Sequence, residues 1–296
     1  MNKEPIKIDF LIIGAQKSAS TSLFKYLSVH PNIYMPPEKE VNFFSEDENF
    51  SKGMNWYLKE YFASNDSSKL RGEASVEYMC YDYVPKRIFS VLPDIKLISI
   101  LRNPIDRAYS HYRMAVRRKL ENLHFDICVG KLIQRGIVPD KLVDRERDFL
   151  MFGEYGRILS NYLRYFSKDQ FKIVFTEELM NQPNAVMKDL FNFLEISNDI
   201  SSEIFGKQYH VSGEKRFGIL ENILLSRFVK KPLRLVLPSQ LRRYFGYWLI
   251  TQFTVKPTKD HGPSSEIRHT VADYYRKDVA LLRSLFKLKP PWEDFI

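Results

Sequence analysis

The segment FLIIGAQKSASTSLFKYL constrains this chain more than any other, because an apolar run of strand length, residues 7–13, passes through a loop of small residues straight into a helix over 21–29. A strand without polar alternation has to be covered on both faces, as in a parallel sheet between helices. The pattern recurs at KLISIL, residues 96–101, which feeds a helix over 104–118 with Asn103 as its N-cap and Pro104 at its first position. Further helices are predicted over 53–62, 84–92, 153–166 and 183–194, and further strands over 69–74 and 171–175. The remainder reads as mostly helix. The expected fold class is therefore α/β, a P-loop-like parallel sheet flanked by helices with a mostly helical C-terminal region. In such a sheet the loops after the two apolar strands share one edge, and each opens a helix whose N-terminus favours anions.

Length and composition fit one folded domain spanning 1–296, since 296 residues with 44% hydrophobic and 27% charged side chains exclude disorder and leave no room for a series of modules. A composition shift near 197–215 marks residues 197–262 as a peripheral helical region facing acceptor or membrane. The formal charge of +9 is concentrated there: ten basic residues stand between Lys215 and Lys259 against the single acid Glu221. An anionic partner would meet this stretch, and a merely solvated amphipathic face is an equal reading. Cys80 and Cys128 are too few for a disulfide framework and lack zinc-site spacing, which makes them packing residues of a reducing cytosol. The N-terminus has no signal-peptide core, and no uncharged apolar run reaches the ~18 residues of a membrane span. The expected location is cytoplasmic, with any membrane contact peripheral.

Two junctions carry the chemistry. Gly14-Ala-Gln-Lys17-Ser18-Ala19-Ser20-Thr21-Ser22 lies where a phosphate-cradling loop belongs, but Ser20 occupies the position of the Walker lysine and the only lysine, Lys17, comes three residues earlier. Magnesium-dependent ATP chemistry is disfavoured. What remains is a loop of backbone N–H groups, hydroxyls and one ammonium, suited to an anion that needs no metal clamp. An ordinary strand-to-helix turn with an exposed lysine is the plainer alternative. At the second junction Arg102 ends a strand and can present a two-donor fork, while Ser110 lies about two helical turns further on. The plainer alternative there is a structural arginine paired with a carboxylate such as Asp106.

Together these segments resemble the sulfotransferases that use 3′-phosphoadenosine 5′-phosphosulfate (PAPS). FLIIGAQKSASTSLFKYLSVHPNIYMPPEKEVNFF is similar to the family's 5′-phosphosulfate loop followed by the K-E-x-x-F-F segment of the heparan sulfate type. ISILRNPIDRAYSHY is similar to the 3′-phosphate motif, and GEASVEY to the G-E-x-[ST]-x-x-Y segment between them. The resemblance implies that Lys17, Ser18, Ala19, Ser20, Thr21 and Ser22 bind the 5′-phosphosulfate, that Arg102 and Ser110 bind the 3′-phosphate, and that Glu40 is the catalytic base. Lys17 would also neutralise charge on the leaving phosphate. Arg216 and Lys259 are further cofactor contacts by looser likeness to basic segments of the family. PAPS is then the donor and 3′-phosphoadenosine 5′-phosphate (PAP) the product, with no metal required.

Glu40 also has a physical rationale, because an acceptor hydroxyl must lose its proton as it attacks sulfur. A surface acid paired with Lys39 is its plainer reading. The cytosolic small-molecule enzymes use a histidine after the second strand, and residues 71–78 contain none. Two positions depart from the heparan sulfate pattern: Ala74 stands where those enzymes carry an acceptor-cleft lysine, and Asn42 where some carry a histidine. A polyanionic sugar polymer is thereby a weaker inference than a hydroxyl on a carbohydrate, glycolipid or secondary metabolite. His30 and His111 are read as helix-end or packing residues, and the many aromatic side chains as mainly core. The competing functions are a nucleotide kinase or triphosphatase on the same fold, and a non-enzymatic basic protein bound to membrane or nucleic acid. The sulfotransferase reading requires no nucleic-acid partner.

Overall fold

The computed structural model describes residues 7–62, 69–135, 149–198 and 262–296. Apart from Gly262, these belong to one compact unit. The basic stretch 215–259, with Arg216 and Lys259, lies outside the described residues.

Five strands form a wholly parallel sheet: β1 (Phe10–Gly14), β2 (Ile33–Tyr34), β3 (Leu70–Ala74), β4 (Lys96–Leu101) and β5 (Phe171–Phe175). Their order is β2-β3-β1-β4-β5. From β1 the chain goes to the edge strand β2, returns inward to β3 and then crosses to β4 on the other side of β1, so the topological switch falls at β1 and β4. The loops opened by these two strands are the crevice where such sheets bind ligands.

The continuous apolar strands are covered as expected. On one face Phe10 and Ile12 of β1, with Ile98 and Ile100 of β4, pack beneath Leu23 and Leu27 of α1 (Ser20–Ser28). Met187, Leu190 and Leu194, repeating at helical spacing along α9 (Pro183–Leu194), complete that layer. On the other face Leu11, Ile13, Leu97 and Leu101 meet α4 (Val84–Val91), α5 (Pro104–Arg117), α7 (Tyr155–Tyr162) and α10 (Ser265–Phe286). Asn103 caps α5 as its sequence predicts, accepting the Ile105 N–H at 3.0 Å.

The helices expected over 53–62 and 183–194 match α3 (Gly53–Phe62) and α9. That expected over 153–166 is shorter, since the chain turns at 151–153 and α7 runs only from Tyr155 to Tyr162. Asp278 of α10 accounts for the late start by accepting the N–H groups of Gly156 and Arg157 at 2.9 and 2.8 Å. Three short elements carry too little periodicity to be read from sequence: β2, α2 (Asp47–Ser51) and α8 (Thr176–Asn181). A longer one, α6 (Phe125–Arg135), also went unread.

The central strands sit so close that Gly72 of β3 has no space for a side chain, a Cβ there meeting the Phe10 ring at 2.2 Å. Gly72→Ala is expected to lower stability by about 1–3 kcal/mol through overpacking, read as a lower urea midpoint with unchanged slope. Combining it with Phe10→Leu should recover part of the loss, which a conformational effect at residue 72 would not allow.

Candidate active site

The loop from Gly14 to Ser20 leaves β1 at its C-terminal end. Gly14 has φ +152°, and a Cβ there would strike the Met79 sulfur at 2.7 Å, so the position excludes a side chain on two counts. Beyond it Lys17 and Ala19 both adopt left-handed backbone, at φ 69° and 63°, on either side of Ser18. Such alternation turns successive N–H groups into one concavity, a common anion cradle. No side chain caps α1 and no acid stands in its first turn, which leaves the helix N-terminus open to a negative ligand. Thr176, directly after β5, fixes the loop from below by donating to the Ser18 carbonyl at 2.9 Å. Gln16 Oε1 and Ser18 Oγ are buried there with no hydrogen-bond partner among the described residues.

Lys17 is the electrostatic centre. Burial, reinforced by Arg117, Arg118, Arg102 and Arg107, lowers its amine from 10.5 to about 8. Among the described residues its Nζ has only the Met114 sulfur, at 4.0 Å, as a hydrogen-bonding neighbour. The four arginines act on Lys17 from along α5 and its approach, and no described carboxylate pairs with Lys17 or Arg102. The same field, after burial, holds His111 neutral, its imidazole lowered to about 2, and its ring packs between Phe149 and Phe152. His111 is a packing residue, as expected. His30 likewise closes a helix end, its ring bonded to the Asn32 N–H at 3.1 Å and the Ser197 carbonyl at 3.0 Å.

The β4–α5 junction is held by residues distant in sequence. Tyr155 donates to the Arg102 carbonyl at 3.0 Å, and Glu177 accepts the Asn103 N–H at 2.9 Å. The Asn103 amide donates to Asp294 at 2.6 Å, and Arg268 clamps Asp294 through two bonds of 2.7 Å. Asp106 pairs with Arg268 at 2.9 Å, so the pairing with Arg102 envisaged from sequence does not form. The Arg102 guanidinium and the Ser110 hydroxyl have no hydrogen-bond partner among the described residues. Arg107, fully buried, donates to the Phe149 carbonyl and is part of the core beneath the site.

Glu40 sits above the C-terminal end of β3, the strand beside β1. Its N–H donates to the Ala74 carbonyl and its Oε2 accepts the Val76 N–H, both at 2.9 Å. Lys39 contacts its Oε1, so the expected lysine pairing is present, yet a third of the side chain remains accessible. Ala74 is buried with its carbonyl turned to Glu40. Sequence reading missed Thr176, Tyr155, Arg117 and Arg118. The arginines had a visible signal, lying seven and eight residues beyond Ser110 on one helix face; Tyr155 had none.

A cationic loop and a strand-end carboxylate thus lie on one edge of a parallel sheet, the edge at which such sheets bind ligands. The chain belongs to the sulfotransferase domain family, whose profile it matches over residues 7–212. It is 35% identical over 199 residues to the bifunctional heparan sulfate N-deacetylase/N-sulfotransferase 4 of Mus musculus, a match covering 64% of this chain and 22% of that protein. The corresponding enzyme 2 of Homo sapiens is 33% identical over 196 residues, with the same coverage. The chain thus spans about a fifth of the length of these relatives. Among solved structures, a sulfotransferase from Alicyclobacillus acidocaldarius superposes with a TM-score of 0.66 at 25% identity, covering 96% of this chain and 98% of that one.

An anion seated against Lys17 must raise its pKa, because it favours the charged amine. Binding of PAP above pH 8 is therefore expected to take up protons, the uptake fading as the pH falls toward 7. Calorimetry in buffers of different ionisation enthalpy measures it directly, and Lys17→Met should abolish it.

Proposed function

We propose that this domain transfers a sulfuryl group from PAPS to a carbohydrate acceptor, with Glu40 as general base and Lys17 as the charge that meets the leaving phosphate. One observation carries the reading: a nest of backbone N–H groups and the partly buried, cation-flanked Lys17 lie at the end of β1, beside an accessible carboxylate held on a fixed turn at the end of β3.

Glu40 accepts the acceptor proton while the acceptor atom forms its bond to sulfur and the bond from sulfur to the phosphate oxygen breaks. Lys17, with the N–H groups from Ser18 to Thr21, stabilises the charge that appears on that oxygen. A partly desolvated ammonium favours this charge more than it would in water, and does so most at the transition state. Arg102 and Ser110, both without a hydrogen-bond partner among the described residues, hold the 3′-phosphate and so select PAPS over nucleotides without one. Lys17 supplies the positive charge that a divalent ion supplies in triphosphatases, and the transfer is proposed to need no metal. Arg216 and Lys259 remain proposed cofactor contacts, and residues 197–262 a proposed acceptor- or membrane-facing region. A carbohydrate acceptor is supported by the relatives named for heparan sulfate N-sulfotransfer. Those names favour an amine beside the hydroxyl expected from sequence.

Among the described residues no helix is long and apolar enough to cross a membrane.

PAP should raise the melting temperature without magnesium, and ADP should not; equal responses would restore the triphosphatase reading. Arg102→Ala should weaken PAP binding roughly tenfold to a hundredfold, as loss of a charge-assisted hydrogen bond does, while leaving ADP unaffected. Glu40→Gln should bind PAP as the wild type does and lose about 10²–10⁴-fold in turnover. The assay is ³⁵S transfer from labelled PAPS, in EDTA, to a de-N-acetylated heparan-type polysaccharide and its N-acetylated counterpart, which separates amine from hydroxyl acceptors. Parallel loss of binding and turnover would refute the base assignment.

A further inference from the structure

The segment GEASVEY contributes no residue to the transfer chemistry above, yet three of its polar residues, Glu73, Ser75 and Tyr78, form one buried unit. Glu73 is completely inaccessible and has no cationic partner among the described residues. Both its oxygens accept from hydroxyls: Oε1 from Tyr78 at 2.5 Å and Oε2 from Ser75 at 2.9 Å. Each hydroxyl then turns a lone pair to the loop that follows Glu40. Ser75 Oγ accepts the Asn42 N–H at 2.9 Å, and Tyr78 Oη accepts the Phe44 N–H at 3.4 Å.

A hydroxyl has one proton, so its direction is set by whichever partner cannot donate. An ionised carboxylate accepts only, which commits both protons to Glu73 and both lone pairs to the backbone. With an amide or a protonated carboxyl in its place, one hydroxyl must accept from that group as well as from its backbone N–H, so its own proton loses its acceptor and that side of the clamp weakens. The turn so clamped is a costly one, because Glu40 and Asn42 both hold left-handed backbone, at φ 64° and 56°. For residues other than glycine this costs about 1–2 kcal/mol each, so the turn needs outside support.

We propose that Glu73 is a positioning residue of the transfer site, its carboxylate acting through Ser75 and Tyr78 to hold the turn that presents Glu40. This rests on Glu40 being the base. The groups facing Glu73 are Tyr78 and Ser75 from the stretch after β3, Glu40 from the clamped turn, and Tyr57 from α3. Burial pushes the Glu73 carboxyl up to about 7 against the opposing hydroxyl hydrogen bonds, with Glu40 adding to the rise. The clamp is therefore complete above about pH 7 and loses its polarity as the pH falls through that value.

The test is Glu73→Gln in the full chain, read by amide hydrogen exchange and by kinetics. Exchange at Asn42 and Phe44 should accelerate at least tenfold while the amides of β1 and β4 keep their protection. In the wild type, protection of those two amides, corrected for the intrinsic rate, should fall below pH 7, and in Glu73→Gln this inflection should vanish. Turnover in the ³⁵S assay should fall at least tenfold with the dissociation constant for PAP within twofold of wild type. Unchanged exchange at Asn42 and Phe44 overturns the proposal, as does a rise in exchange spread over the whole sheet. If Glu73→Gln does not fold, Ser75→Ala and Tyr78→Phe each remove one clamp; exchange should rise at Asn42 alone in the first and Phe44 alone in the second, and no rise in either overturns the proposal. Glu40→Gln run alongside separates the two readings, since wild-type turnover in that variant removes the base assignment whatever Glu73 does to the turn.

Discussion

The site depends on a positive charge that the protein itself disfavours. Lys17 is partly withdrawn from water, and Arg117, Arg118, Arg102 and Arg107 add repulsion to the cost of burial. A fold tolerates like charges at one sheet edge when a ligand anion restores the balance, or when the cost falls on a small part of a well-supported structure. The second condition holds here. The loop of Lys17 is fixed by β1 behind it, by Thr176 below and by the first turn of α1 ahead, so the backbone that carries the ammonium is held at the sheet edge.

Support for Arg102 comes from further away. The β4–α5 junction is tied to the end of the chain through Asn103, Asp294 and Arg268, and to the end of β5 through Glu177, which also accepts from Trp292 at 3.3 Å. These carboxylates bind backbone and one another's partners, so they steady the junction without reaching the Arg102 guanidinium. That separation matters electrostatically, because a carboxylate on Arg102 would compete with a phosphate for the same donors. Asp106, one turn along α5, would be such a competitor, and Arg268 occupies it.

Much of this was legible in the sequence, for physical reasons that differ by element. Buried parallel strands must be apolar along their whole length, so 96–101 and 171–175 announced themselves and matched β4 and β5. The Pro104 start and the Asn103 cap fixed the head of α5, and small residues after an apolar strand located the Lys17 loop. Elements whose identity is set by tertiary contact were not legible: α8 is six residues beginning at a strand end, and β2 is two residues recruited by pairing with β3. The same divide runs through the site. Lys17, Arg102, Ser110 and Glu40 could be named from local pattern and resemblance, whereas the roles of Tyr155, Thr176 and Asp294 exist only once distant segments meet. Asp106 shows the limit most plainly, since its nearest basic neighbours in sequence are not the arginine it binds.

The donor side and the acceptor side of the edge are built on opposite principles. Around Lys17 a nest of N–H groups and the open N-terminus of α1 await a negative ligand, and no described carboxylate pairs with Lys17 or Arg102. Around Glu40 the protein does the reverse. The carboxylate already accepts the Val76 N–H and contacts Lys39, and its turn is pinned to Ala74 and, through hydroxyls, to Glu73. A base must accept a proton at a chosen place rather than merely bind charge, so its orientation has to be fixed before the acceptor arrives. A phosphate site can be completed by its ligand, because a diffuse anion tolerates several arrangements of donors. The sheet brings the two to one edge, the Lys17 loop leaving β1 and the Glu40 turn being pinned to the end of its neighbour β3.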